Sequence, residues 1–280
     1  MLTRYIGLVT EDSSITMSEL TKVAAALQKQ ATRDFGPLWS IEASVNAFEK
    51  LEDLPLDYWP IIIKDDIGEP DAAGYHDDDQ GQPFSLVQFE EGWHLTASHE
   101  MLEMLGDPFG RRLIAGESPV PGQGRVKFLV EVSDPSEDVA FGYKINGIQM
   151  SDFYTPHYFD PVKSSGVRYS YTGAITQPRQ VLKGGYLSWY VPSTRKWWQR
   201  TWFGGAKPAD KKLANLNARN GNLRAAIDRL TMAERAKATG IIRSEPRSAL
   251  RAAADPAPIE ESFSVRAEDI RASIKAASKR

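Results

Sequence analysis

The sequence predicts an α+β fold, a mixed sheet carrying one apolar helix, followed by a C-terminal helical extension. Three observations carry that expectation. Up to about residue 205, short β-branched and aromatic runs alternate with stretches of helical periodicity. From residue 207 the composition changes to alanine, arginine, lysine and leucine. The charge changes with it: residues 207–251 hold 11 Lys/Arg against 4 Asp/Glu, and residues 1–206 hold 18 against 28. An acidic body with a basic extension is expected to be two functional units. The glycine pair in Gly204-Gly205-Ala206-Lys207-Pro208 suits a linker. The expected division is therefore a body over 1–205 and an Ala/Arg-rich, partly flexible helical extension over 206–280.

The elements follow in order. Residues 4–10 read as a first strand, rich in β-branched and aromatic residues. Thr16 or Ser18 can cap a helix reaching about Phe35, with Leu20, Val23, Ala24, Leu27 and Ala31 on one face. Residues 41–48 alternate in strand fashion, and 58–66 form a buried strand. Residues 74–82 read as a polar loop in which His76 is solvated beside Asp77, Asp78 and Asp79, with a calcium site as the alternative although the spacing is not that of an EF-hand loop. Residues 83–90 form another strand, with Pro83 suited to a strand start or a sheet edge. The apolar helix comes next and ends at Gly106, because Pro108 disfavours helical geometry at Asp107. Residues 126–132 form a short apolar strand containing Glu131. Asn146-Gly147 signals a tight hairpin turn. Residues 150–160 and 182–190 are rich in aromatics and turn residues, and no internal repeat is evident.

Composition excludes several classes. With no cysteine, there is no disulfide, thiolate metal site or cysteine nucleophile. No apolar run is long enough to span a bilayer, so no membrane partner is expected. The N-terminus lacks the basic start and long apolar core of a signal peptide. A cytoplasmic location in a bacterial or phage setting is expected. A Gly-rich phosphate loop and a Gly-x-Ser-x-Gly elbow are both missing.

The chemistry concentrates in residues 98–108, Ser-His-Glu-Met-Leu-Glu-Met-Leu-Gly-Asp-Pro. On a helix at about 100° per residue, Thr96, His99, Glu100, Glu103 and Asp107 share one arc. Met104, Ala97, Met101, Leu105, Leu102 and Leu95 cover most of the rest. Isolated charges are costly to bury unless paired or bound to a metal, so this stripe is what a metal-centred hydrolytic site requires. A His-Glu-x-x-His helix sets two ligands one turn apart and uses its Glu as general base. Here Glu103 stands in place of the second histidine. The one-turn geometry survives, but a second carboxylate neutralises the cation and weakens its polarisation of water. Zinc fits the site, and a carboxylate-rich shell also tolerates other divalent ions such as manganese or calcium. A third ligand is needed. Asp107 is near in sequence, Glu131 would be anomalous if left unpaired on its apolar strand, and Asp134 is a ligand or a partner behind one.

The pattern Ser-His-Glu-x-x-Glu-x-x-x-Asp-Pro, followed by Glu-Val-Ser-Asp-Pro and Ser-Asp-Phe-Tyr-Thr-Pro, resembles a group of bacterial and phage proteins. A similar order occurs in secreted plant proteins of the exordium type, and both look like variants of zincin metallopeptidases. The resemblance covers roughly residues 1–190, with its specific motifs at 98–108, 131–135 and 151–156. It implies a zincin-like mixed sheet with an active-site helix. It further implies His99 and Glu103 as ligands, Glu100 as the base, and Glu131 with Asp107 or Asp134 completing the site. The activity implied is that of a zinc-dependent peptidase on a peptide or protein substrate. In that plan the edge strand, here residues 83–90, pairs with an extended peptide. Lacking the second histidine, the chain departs from the peptidases proper. The alternative is a non-catalytic zincin-derived structural or interaction protein with a basic assembly arm.

Other candidates are weaker. His94 falls on the apolar side of the helix and reads as a hydrogen-bonded core residue. His157, Tyr154 and Tyr158 are candidates for transition-state stabilisers. The aromatic and cationic segment 189–203 reads as closing a core or docking a neighbouring subunit. The basic extension suits a protein partner or nucleic acid. Its thin stripe of Leu213, Leu216, Leu223, Ile227 and Leu230 suits zipping onto another chain in an oligomer.

Overall fold

In a computed structural model, residues 2–69, 72–213, 216, 223–239, 270–272 and 274–275 are described. The first half is a five-stranded sheet in the order β2-β1-β3-β5-β4. Strands β1 (Thr3–Thr10), β2 (Glu42–Ala47), β3 (Tyr58–Lys64) and β5 (Gln82–Gln88) are mutually parallel, whereas β4 (Gly74–Asp79) runs antiparallel to β5. Helix α1 (Met17–Lys29) is capped by the Thr16 hydroxyl, which accepts from the Glu19 amide. It continues as a π-helical stretch (Gln30–Phe35) into the single turn α2 (Gly36–Trp39), so the expected end near Phe35 matches. Leu20, Val23, Ala24, Leu27 and Ala31 all enter the core.

Helix α3 (Trp93–Gly106) packs against β4 and β5. Its stop at Gly106 is as expected. A second five-stranded sheet follows in the order β12-β11-β10-β7-β6, antiparallel throughout. It comprises β6 (Leu113–Glu117), β7 (Arg125–Leu129), β10 (Tyr186–Val191), β11 (Lys196–Thr201) and β12 (Ala209–Lys212). Between them the hairpin β8 (Tyr143–Ile145) and β9 (Ile148–Met150) turns through Asn146 and Gly147, both at positive φ, as the Asn-Gly signal predicts. Helix α4 (Leu223–Thr239) follows β12, and farther along the chain Ile274 packs with Val9, Leu51 and Ile62 of the first sheet's layer.

Four expectations need correction. Residues 74–82 are not a loop: β4 and β5 form a hairpin turning at Gln80 (φ 49°) and Gly81 (φ 87°). Asp77, Asp78 and Asp79 disguised it, and charge is what an edge strand tolerates. The edge is therefore β4, and the strand over 83–90 lies inside the sheet. His76, expected in solvent, is fully buried at the centre of β4. The apolar stripe of the extension does not wait for another chain. Leu213 and Ile227 are buried with Leu129, and Leu216 and Leu223 pack against them; only Leu230 stays exposed.

Smaller differences follow the same logic. The strand over 126–132 ends its ladder at Leu129. Beyond Gly205, β12 still pairs with β11, so the second sheet continues into the extension. The aromatic segment closes this chain's own core: Trp189 is fully buried with its indole N–H on Gln123, and Trp198 and Trp202 pack against the core.

Candidate metal centre

Helix α3 brings the centre to the sheet. Glycine at position 74 permits the approach, since a Cβ there would lie 2.6 Å from Thr96 Cγ2 and 3.2 Å from Glu100 Cγ. The helix is held on its other side by a buried polar chain. The Ser98 hydroxyl donates to Gln30 Oε1 (2.7 Å) and accepts from the Ser151 amide (2.9 Å), while Gln30 Nε2 donates to the Ser151 carbonyl (3.0 Å). All three residues are buried. The site helix is therefore fixed at the residue preceding His99.

Two groups of potential ligands share Glu103. In one, His99 Nε2 lies 3.2 Å from Glu103 Oε1 and 3.3 Å from Asp134 Oδ1. In the other, His76 Nδ1 lies 3.5 Å from Glu100 Oε2 and 3.9 Å from Glu103 Oε2. Within each group one donor atom per residue lies within 4.8 Å of the others, a spacing able to hold a metal ion. Glu103 thus offers one oxygen to each. Among the described residues, buried His76 Nδ1 and Glu131 Oε1 have no hydrogen-bond partner, an arrangement that buried polar groups ordinarily avoid.

The position a cation would favour is shared with an arginine. Arg224, on the first turn of α4, donates Nε–H to Glu131 Oε2 (2.7 Å) and Nη2–H to Glu103 Oε2 (2.7 Å) and Glu100 Oε2 (3.3 Å). Its Nη1–H reaches the His76 carbonyl (3.0 Å), and Asp228 lies 3.4 Å from Nε one turn along α4. The guanidinium is buried.

The electrostatics are those of a site rich in carboxylates. Burial works against a proton on His99, but the Glu103 charge and the hydrogen bonds to Asp134 and Glu103 raise its pKa well above the ordinary value. Burial would raise Glu103, yet His99 and Arg224 hold it well below the usual carboxylate range. Glu131 is pushed well up by burial in spite of Arg224, and Asp134 by burial with the Glu103 charge added. Burial also pushes Asp228 up to about 6, against the pull of Arg224.

The sequence-predicted residues separate into three sets. His99, Glu103 and Asp134 come together. Glu100 lies beside them, facing His76 and Arg224. Glu131 and Asp107 belong to neither ligand group. Glu131 instead receives Arg224. The Asp107 carboxylate is taken by the Arg112 amide (2.6 Å), and its carbonyl accepts from His76 Nε2 (3.0 Å), which aims the other ring nitrogen at Glu100. His94 Nδ1 bonds the Gln149 carbonyl (3.0 Å), as a core histidine should. His157 is exposed and paired with Asp160, away from the centre, and the Tyr158 hydroxyl donates to the Gln180 carbonyl. The Tyr154 hydroxyl is buried without a partner, and burial pushes it up, with Tyr158, Glu131, Glu103 and Asp134 adding to the shift.

His76 and Arg224 were missed. His76 carried a signal, the alternation of residues 74–79, masked by the aspartates around it. Arg224 carried only its place beside the Leu223–Ile227 stripe and its one-turn spacing from Asp228. No protein-family model, curated protein or solved structure matches the chain, and the centre is therefore read from its own residues.

Proposed function

We propose that this protein is a divalent-metal-dependent hydrolase of the zincin type, acting on peptide bonds, with zinc as the expected ion. The observation that carries the reading is the convergence of His99 Nε2, Glu103 Oε1 and Asp134 Oδ1. The donor set fits such an ion: one imidazole and two carboxylates, with the Glu103 and Asp134 carboxylates both buried. When bound, the ion supplies Lewis acidity, polarising a carbonyl and making water a better nucleophile at neutral pH.

The chain's own residues do the rest. Glu100 accepts the proton of the attacking water and delivers it to the leaving amine. His99, Glu103 and Asp134 would hold the ion. β4, the edge strand of its sheet, is where an extended peptide would pair. A cleft of about 580 Å³, lined by Gly74, Tyr75, Asp77, Thr96, His99 and Glu100 on this side, runs beside that edge. Two carboxylate ligands lower the net positive charge at the centre, so slower turnover is expected than with a second histidine.

Hydrolysis of a broad peptide library by the wild type and by Glu100→Gln, with zinc content measured on both, tests the reading. Loss of about 10²- to 10⁴-fold in kcat with zinc retained is expected. Wild-type protein that holds zinc yet hydrolyses nothing contradicts it. A second reading is favoured by Arg224: a non-catalytic relative of zincins in which the guanidinium is the permanent cation and the basic arm serves assembly. It expects neither bound metal nor turnover.

A further inference from the structure

Arg224 is buried among the carboxylates of the centre and bonds to each of three of them. Its fork meets Glu131 and Glu103 at 2.7 Å each and Glu100 at 3.3 Å, and its third nitrogen caps the His76 carbonyl on strand β4. In one contact it takes the second oxygen of the shared ligand Glu103, the proposed base Glu100, and an edge-strand acceptor that an extended peptide would use. Charge-assisted hydrogen bonds of this kind, here one to each of three carboxylates, are the strong form of carboxylate recognition.

The rest of α4 is attached in the same way. Arg235 Nη1 lies 2.6 Å from Glu137 Oε2, and Arg229 Nη1 lies 3.8 Å from Glu69 Oε1. The apolar part of the docking is small, with Ile227 buried against Leu129 and Leu213. The helix does not fill the space beside it, because Arg224, Asp228, Arg229, Met232 and Arg235 form one wall of the open cleft whose other wall includes Tyr75 and Glu100. A segment held mostly by charge, beside an open cleft, can be displaced by a competing cation.

We propose that Glu100, Glu103 and Glu131 form a guanidinium socket filled by α4, and that α4 is a tethered inhibitor whose Arg224 competes with a divalent cation for Glu103. The proposal rests on the metal-dependent reading above and concerns its regulation. A full positive charge 2.7 Å from a ligand oxygen opposes a cation on the other oxygen of the same carboxylate. By linkage, a cation that binds Glu103 weakens the docking of α4 by the same factor.

Zn²⁺ titration of the full chain by calorimetry, with hydrogen exchange of residues 223–239, tests it. The variants are Arg224→Gln, Arg235→Gln and Glu103→Gln. Arg224→Gln is expected to bind one Zn²⁺ at least tenfold more tightly than the wild type. Arg235→Gln, which loosens α4 away from the ligands, should tighten binding several-fold, and Glu103→Gln should abolish it. Saturating Zn²⁺ should speed exchange of α4 in the wild type by tenfold or more. Unchanged affinity in folded Arg224→Gln overturns the proposal. So does wild-type protein that takes up Zn²⁺ while α4 exchange stays the same; in both cases the metal-dependent reading survives. Failure of every form to bind Zn²⁺ overturns the two together. If Arg224→Gln does not fold, the exchange of the wild type and the affinity of Arg235→Gln decide.

Discussion

The Asp34 carboxylate accepts from Arg33 Nε and Nη2 (2.6 and 2.8 Å), from the Tyr143 hydroxyl (2.9 Å) and from the Tyr171 hydroxyl (2.7 Å). It ties the π-helical stretch to the β8–β9 hairpin and to the loop carrying Tyr171. Burial would raise its pKa, but the hydrogen bonds from Arg33 and both tyrosines lower it overall. A carboxylate with a depressed folded pKa contributes stability above its unfolded value and loses it as pH falls through the folded one. Asp34→Asn is therefore expected to cost about 1–3 kcal/mol at pH 7. The gap to the wild type should close as pH falls below about 4, where the unfolded carboxylate is protonated. Urea unfolding of both proteins at pH 7 and pH 3 checks this, and an equal gap at the two values counts against it. Asp34 also shows what a linear reading cannot see. Its partners Tyr143 and Tyr171 lie over a hundred positions away, and nothing local in the sequence distinguishes it from a surface acid.

Among the elements, the hairpin of β4 and β5 decides where the centre lies. Helix α3 was legible because its pattern is local: three carboxylates and a histidine on one arc, with apolar residues over most of the rest. The cap at Thr16, the stop at Gly106 and the Asn146-Gly147 turn were legible for the same reason. Strand β4 was not, because its polar residues face outward from an edge while Gly74 and His76 face contacts set by tertiary packing. Gly74→Ala tests that packing. Its new methyl would meet Thr96 Cγ2 at 2.6 Å and the Leu86 carbonyl at 3.0 Å, pushing β4 away from α3. A loss of about 1–3 kcal/mol is expected by overpacking, with the contact between His76 and Glu100 opened. Unaltered thermal stability would contradict this role for the hairpin.

On the scale of the molecule, the two sheets and α3 make a body onto which α4 docks by ion pairs, the buried Gln199–Thr231 hydrogen bond and the small apolar contact of Leu223 and Ile227. The charge asymmetry between body and extension was visible in composition, yet its use was not: the arginines of α4 are partnered by acids of the body, at distances in sequence that periodicity cannot bridge. Ile227 is the buried apolar anchor on α4. Truncating it to alanine is expected to cost about 2 kcal/mol, the low end for a buried isoleucine. The loss should fall on the docking of α4, raising its hydrogen exchange while α3 and the sheets keep their protection. Uniform faster exchange across the body would mean that α4 and the body unfold as one unit. Among the described residues no helix is long and apolar enough to cross a membrane. The central claim is that His99, Glu103 and Asp134 hold a divalent ion, and zinc X-ray absorption on protein loaded with one equivalent tests it most directly. The account predicts a shell of nitrogen and oxygen donors at about 2.0–2.2 Å including imidazole, lost in Glu103→Gln and altered in Asp134→Asn. Zinc that washes away from the wild type, or an identical spectrum in Glu103→Gln, would contradict it.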